Sequence, residues 1–143
     1  AANAAPACMG QYDHLHLTVV QKPEILTQIN AAFQKAVGDP NMQVTYGAPT
    51  VIYVSCKNED EEIIKGCNAG VVMENMLLEA ADLGLGAVYL FGVSQVLFAN
   101  EEITKLLQIP EGFRTVSAIA VGTSADVLQE RALGTDKIST TTL

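Results

Sequence analysis

The sequence predicts one layered domain of the α/β or α+β class, because short β-branched runs alternate along the chain with longer runs of helical period. Its 143 residues match the usual size of a single domain, and no linker divides them. Apolar residues make up 49% of the chain and charged residues 17%, which supplies a core and leaves apolar surface for an interface. An oligomer is therefore expected.

The charge balance and the cysteines limit the classes of partner and compartment. Sixteen acidic residues against eight basic ones give a formal charge of −8, which disfavours nucleic acid and anionic membranes as partners. Cys8, Cys56 and Cys67 form no C-x-x-C pair and no zinc spacing, which suits a reducing compartment. No long apolar run or signal peptide is evident, so a cytoplasmic location is expected. The start at Ala1 is compatible with removal of an initiator methionine or with a missing N-terminal segment.

The first third of the chain predicts a loop between a helix end and a strand. Residues 1–5 are rich in alanine, a strong helix former, and Pro6 should end any helix there. Residues 7–13 show no period and are expected to form a loop, whereas the β-branched run at 15–20 predicts a strand. A helix should then run from Pro23 to Val37 and end at Gly38.

The middle of the chain predicts a central strand and a long buried helix. Residues 50–56 are continuously apolar or β-branched, as in a strand covered on both faces. The acidic cluster at 58–62 is interpreted as a solvated loop or helix start rather than a metal site. A wide apolar face at 69–83 predicts a helix, and Gly84 should cap it in a left-handed conformation.

The last third predicts two strands, a helix and a tail. Residues 87–91 form a short strand pattern, Asn100 can cap a following helix that reaches Leu107, and residues 115–121 predict the last strand. Residues from about 124 to 143 are polar, rich in threonine and without period, so they should form an extended tail suited to contacting a partner.

Few residues point to catalysis by the protein's own side chains. The sequence has no nucleophile elbow, zinc-protease motif or phosphate-binding P-loop, and in the Gly84–Gly86 segment a helix precedes the glycines, which excludes the dinucleotide fingerprint. His14 and His16 should share one face of a strand, yet with no third ligand a structural role is favoured over metal binding. No positive residue flanks Cys8 to activate it as a nucleophile. Such scarcity is typical of enzymes whose cofactor carries the chemistry, a flavin for example.

One long segment, Asn68–Val88, closely resembles the central helix and following strand of the nitroreductase family. Further segments match this family in the same order, at Ala5-Pro6, Gly47–Pro49 and Ile109–Phe113, so that the resemblance covers nearly the whole chain. It implies a nitroreductase-like α+β fold with a central, mostly antiparallel sheet flanked by helices. It also implies an intertwined homodimer with FMN at the subunit interface. Residues 1–143 are then one domain without the helical Arg-x-Ser segment that opens the family.

The resemblance also implies which loop residues lie against the flavin. In the family the loop after Ala-Pro reads Ser-x-x-Asn, and here it corresponds to Pro6, Ala7, Cys8 and Gly10. Ala7 takes the serine position and Gly10 the asparagine position, so two polar contacts are lost. Tyr12 falls where the family often has glutamine, beside Gln11.

Two further contacts are implied. The family touches the isoalloxazine with backbone just beyond the strand that follows the central helix, which corresponds here to Leu90, Phe91 and Gly92. A basic residue near the C-terminus grips the FMN phosphate, and Arg131 falls at that position. No catalytic side chain and no metal ligand is assigned.

The function implied is an FMN-dependent NAD(P)H oxidoreductase. It would work by ping-pong, with hydride passing from the nicotinamide to the flavin and then to a nitroaromatic or quinone acceptor. A divergent, non-catalytic scaffold with or without flavin is the alternative, favoured by Ala7 and Gly10, and a third possibility is that the tail serves dimerisation beside a vestigial pocket. The choice between NADH and NADPH stays open.

Overall fold

The fold is a single antiparallel sheet with helices on both faces, seen in a computed structural model that describes residues 1–92, 96, 100–127, 130 and 132–143. Within these residues the strands are β1 (Leu15–Val20), β2 (Thr50–Lys57), β3 (Gly86–Tyr89) and β4 (Phe113–Gly122). The helices are α1 (Pro23–Val37), α2 (Glu62–Asp82) and α3 (Glu101–Leu106). Short 3₁₀ turns precede β1 at Ala2–Ala4, Cys8–Gly10 and Tyr12–His14.

The strands lie in the order β1-β2-β4-β3, and every neighbouring pair is antiparallel. Strand β2 pairs with β1 from Leu15↔Cys56 onwards and with β4 on its other side, where a bulge falls between Val54 and Ser55. The prediction of a central strand covered on both faces is therefore confirmed. Because successive side chains of β2 point to opposite faces of the sheet, they reach both layers of the core.

The side chains of β2 alternate between two buried clusters. Val51 and Tyr53 point to the face covered by α1 and α3, called here the α1 face, and Val54 points to the opposite α2 face. The α1 face is filled by Leu26, Ile29, Phe33 and Ile103, and the α2 face by Ala69, Val72, Met73 and Ile119. Full burial of one such large apolar side chain contributes roughly 1.5 to 3 kcal/mol, so both layers stabilise the sheet substantially.

The predicted caps are present. Pro23 occupies the first turn of α1, and Gly38 ends the helix with φ 74. Gly84 follows α2 with φ 70, as a left-handed cap requires. The Asn100 side chain accepts hydrogen bonds from the backbone of Glu102 and Ile103 at 3.1 and 3.2 Å, and so begins α3.

Several element boundaries differ from the prediction. Helix α2 begins at Glu62 rather than Ala69. The prediction began too late because Gly66 and the exposed Ile63 interrupt the apolar period in the first two turns of the helix. Strand β3 ends at Tyr89 rather than at residue 91. The alanine-rich start forms only a 3₁₀ turn, since five residues are too few to nucleate a stable α-helix.

The described residues beyond Gly122 form no helix or strand, and most are exposed. The extended tail from about residue 124 and its role as a partner contact stay predictions. In the part of the chain that the structure describes, none of the helices has the length and apolar character needed to span a membrane.

Candidate functional site

The N-terminal loop that was expected to touch a cofactor rests on helix α2. The backbone N–H of Cys8 donates to Oδ1 of the buried Asn68 at 2.8 Å, and the hydroxyl of Tyr12 donates to the carbonyl of Ala5 at 2.9 Å. Ala5 and Ala7 are buried beneath the loop. The loop is thus anchored by polar contacts to α2 and to itself.

The outer side of this loop is exposed backbone. Pro6 and Gly10 are exposed, and Met9 and Gly10 both adopt positive φ, at 53 and 70. A Cβ built on Gly10 would meet nothing within 4 Å. Any group that lies on this loop would therefore meet main chain, the Met9 side chain, which is 87% exposed, and an open space at Gly10.

The two histidines do not share a strand face, which corrects the prediction for them. His14 lies in the turn before β1, where its Nδ1 hydrogen bonds to Oδ1 of Asp60 at 2.7 Å, and both side chains are largely buried. His16 lies in β1 and packs its ring edge-on against Phe113, with ring centroids 6.1 Å apart. Each histidine therefore has a separate structural contact.

A second region, at the end of β3, forms a cleft of about 380 Å³ on the α1 face. The described residues that line it are Phe33, Met42, Gln43, Val44, Tyr46, Tyr89, Leu90, Phe91 and Gly92, with no charged side chain among them. The rings of Tyr89 and Phe91 stack with centroids 6.3 Å apart and planes 23° from parallel. Their exposed fractions are 37% and 56%. The cleft thus offers aromatic surface to a planar ligand.

The opposite wall of the cleft is held in place by Asn30 of α1. Its Oδ1 accepts from the backbone N–H groups of Val44 and Thr45 at 3.1 and 3.4 Å, while its Nδ2 donates to Thr45 Oγ1 at 3.0 Å. The next residue, Tyr46, has φ 54 and is 71% exposed. The sequence alone did not indicate this wall, because Gly47–Pro49 was matched to the family and no site role was assigned to Tyr46. An asparagine on the apolar side of α1, next to Ile29, was the available signal.

The two groups of expected cofactor contacts lie on opposite faces of the sheet. Ala5, which leads into the loop, packs in the α2-face cluster, whereas Leu90 packs in the α1-face cluster. The N–H of Leu90 donates to the carbonyl of Ala118 at 2.7 Å, which ties the cleft to β4. Arg131, the expected phosphate contact, lies outside the described residues.

Several described cations are already paired with carboxylates near the start of α2. Lys65 Nζ lies 3.0 Å from Glu62 Oε1, and Arg114 pairs with the other oxygen of the same carboxylate. These hydrogen bonds, from Lys65 first and then Arg114, hold the pKa of Glu62 below its ordinary value of 4.5. Burial raises the pKa of the nearby Cys56 thiol to about 11, so this cysteine is not an activated nucleophile.

Comparison with known proteins identifies a family and a curated relative. The model of the nitroreductase family matches residues 1–123. A protein of Methanothermobacter thermautotrophicus, named as an NADH dehydrogenase/NAD(P)H nitroreductase, is 32% identical over 115 residues, which is 78% of this chain. The match spans 56% of that protein, so the chain is similar to little more than half of it.

Solved structures show the same fold. A nitroreductase with bound FMN from Bacteroides fragilis superposes with a TM-score of 0.79 at 22% identity, over 98% of this chain and 82% of that one. A nitroreductase with bound FMN from Desulfitobacterium hafniense gives 0.82 at 20% identity, over 99% and 82%. These likenesses extend over the sheet and its helices together.

Proposed function

Because the chain belongs to the nitroreductase family, we propose that it is an FMN-dependent oxidoreductase which uses NADH or NADPH to reduce a nitroaromatic or quinone acceptor. The observation that carries this proposal is the uncharged aromatic cleft at the end of β3. It contains Leu90, Phe91 and Gly92, the segment that the resemblance assigns to the isoalloxazine. The names of the relatives, which mention FMN and NAD(P)H, support the same cofactor and donor.

The side chains that line the cleft match the chemical character of a flavin ring system. An isoalloxazine has apolar faces and a polar edge, and the cleft combines the Tyr89 and Phe91 rings with the amide of Gln43. Phe91 and Gly92 are exposed, whereas the buried Leu90 fixes the segment through its bond to Ala118. The backbone at 91–92 would thus meet the ring, and Leu90 would position it.

In this proposal FMN, when bound, supplies the redox chemistry by taking up a hydride and passing it on. The protein's residues would bind and orient the flavin and the acceptor. The aromatic side chains would contact the ring and shield it from part of the surrounding water, and the absence of charge among the described lining residues leaves the site open to neutral acceptors.

A second copy of the chain completes the site in this proposal. The loop from Pro6 to Gly10 and the cleft at Leu90 lie on opposite faces of one sheet, so the loop of one protomer would cover the cleft of its partner. This arrangement supports the homodimer. Arg131 remains the proposed phosphate contact.

The alternative of a flavin-less scaffold is favoured by Ala7 and Gly10, neither of which offers a polar side chain to a cofactor. The first experiment is the visible spectrum of the purified protein after addition of excess FMN and desalting. Retained flavin that NADH or NADPH bleaches without oxygen is the expected result. Absence of retained flavin would refute the oxidoreductase, and retained flavin that neither donor reduces would favour the scaffold.

A substitution in the loop tests the placement of the flavin. Gly10→Asn restores a side-chain amide at φ 70, a conformation that asparagine tolerates, with open space around its Cβ. We expect the variant to retain FMN more tightly. Gly38→Asn is the matched control, since Gly38 has φ 74 and equal space but caps α1. Equal FMN retention in Gly10→Asn and the wild type would remove the loop from the site.

A further inference from the structure

We propose that Tyr46 determines which acceptor the site takes, by offering its ring as a stacking platform to a planar, uncharged aromatic acceptor. This inference rests on the proposed function and adds a specificity-determining residue to it. Tyr46 stands apart from the segment at 90–92 and closes the other side of the same cleft.

The backbone of Tyr46 is in a conformation that its side chain disfavours. Its φ of 54 lies in the left-handed region, where a bulky residue is costly and glycine is usual. Gly47 follows with φ 70, so the chain turns sharply at this point. Strained residues of this kind persist where the surroundings hold them, and they concentrate at ligand sites.

The surroundings do hold Tyr46. Thr45 is 1% exposed; its Oγ1 accepts a hydrogen bond from Asn30 Nδ2, and its backbone N–H donates to Asn30 Oδ1. The Ala48 N–H in turn donates to the Thr45 carbonyl at 2.9 Å. The segment is therefore fixed on both sides of Tyr46. Its side chain nevertheless remains 71% exposed, so core packing does not account for a tyrosine at this position.

The neighbours of Tyr46 indicate the kind of ligand. Tyr89, Phe91 and Met42 line the same cleft, with exposed fractions of 37%, 56% and 43%. Aromatic rings and a methionine present flat, polarisable surface, and no charged side chain among the described lining residues would attract an ionic acceptor. A neutral planar quinone matches this chemistry better than a charged inorganic oxidant does.

The test compares three variants of the FMN-loaded protein. Tyr46→Gly removes the ring and relieves the left-handed backbone, while Tyr46→Phe keeps the ring and loses the hydroxyl. Gln108→Gly is the control, because Gln108 has φ 53, is exposed and does not line the cleft. The readouts are Tm, the Kd for FMN, and the Kd of the oxidised protein for 2-methyl-1,4-naphthoquinone from changes in flavin absorption.

We expect Tyr46→Gly to weaken quinone binding by about tenfold, the loss of one aromatic stacking contact, with FMN affinity unchanged. Its Tm should stay level or rise, as should that of Gln108→Gly, because both relieve the same strain. Tyr46→Phe and Gln108→Gly should keep the quinone affinity of the wild type. The kcat/KM for ferricyanide, a charged non-aromatic acceptor, should be equal in Gln108→Gly and the wild type, and in Tyr46→Gly it should fall by a smaller factor than the quinone affinity does.

Unchanged quinone affinity in Tyr46→Gly would overturn the inference. A parallel loss of FMN affinity would also overturn it, since Tyr46 would then contact the cofactor. A wild-type protein that fails to hold FMN would instead refute the proposed function itself, so the two failures are distinguishable.

Discussion

At the scale of single residues, Asn68 connects the N-terminal loop to helix α2. It is 3% exposed and accepts the Cys8 N–H at 2.8 Å. We predict that Asn68→Ala lowers the free energy of unfolding by about 1 to 3 kcal/mol, because a partly buried N–H loses its acceptor. If the loop covers FMN, retention of FMN should fall as well.

The measurement is urea unfolding together with FMN retention after desalting. Asn75→Ala on the same helix is the control, since among the described residues its amide makes only an exposed contact of 3.4 Å with the Ala1 carbonyl. Equal losses of stability in both variants would show that the Cys8 contact is not special.

Glu62 gives a prediction about pH. Because hydrogen bonds from Lys65 and Arg114 lower its pKa in the folded chain, its contribution is fully present above 4.5, its ordinary value, and is lost as pH falls through the folded pKa. We therefore expect the stability difference between wild type and Glu62→Gln to shrink between neutral pH and acid below 4.5. Thermal unfolding across this range measures it. Glu74→Gln, a change at an exposed position of α2 without an ion pair among the described residues, should show no such trend.

At the scale of elements, the first half of α2 contains two glycines that lower the stability of the helix. Gly66 and Gly70 lie inside the helix, and a Cβ at either would meet nothing within 4 Å. Gly66→Ala and Gly70→Ala should each raise the free energy of unfolding by roughly 0.5 to 1 kcal/mol, because alanine loses less backbone entropy. Gly84→Ala should lower it, since Gly84 has φ 70. The midpoints of denaturant unfolding measure these changes. A loss of stability in Gly70→Ala would indicate that another surface packs on this helix.

The elements also show how far sequence patterns reach. The β-branched run at 50–56 identified the central strand because β2 is buried on both faces, and Gly38, Gly84 and Asn100 marked helix ends through their caps. The start of α2 was missed since Gly66 breaks the apolar period. The wall at Tyr46 could not be predicted because it depends on Asn30, a contact between residues distant in sequence.

At the scale of the whole molecule, the α+β fold with a mostly antiparallel sheet is confirmed by the sheet order and by the solved nitroreductases. The resemblance of Asn68–Val88 to one family carried that prediction further than composition could. The site residues are a different matter. Pro6, Ala7, Cys8 and Gly10 lie apart from the cleft in one chain, so their role depends on a second copy and stays a prediction.

Because the loop from Pro6 to Gly10 and the cleft at Leu90 lie on opposite faces of one chain, we predict that cofactor retention depends on protein concentration. If each FMN needs the loop of one protomer and the cleft of its partner, dilution below the dimer dissociation constant should release flavin. Fluorescence of free FMN during serial dilution, with the molar mass followed by light scattering, measures both events. Flavin that stays bound to a monomer would contradict the shared site.

The three free thiols differ in burial, so the rates at which they are modified report the opening of different parts of the protein. Cys67 is exposed, Cys8 is half-buried within the loop, where its N–H bonds to Asn68 of α2, and Cys56 is buried in β2 with its pKa raised to about 11. A thiol-reactive dye at neutral pH should therefore modify them in that sequence. Modification of Cys67 reports the native surface, and modification of Cys8 reports the opening of the loop from α2. Modification of Cys56 reports unfolding of the sheet. Comparing the second rate with and without FMN would time the loop's release without any engineered label.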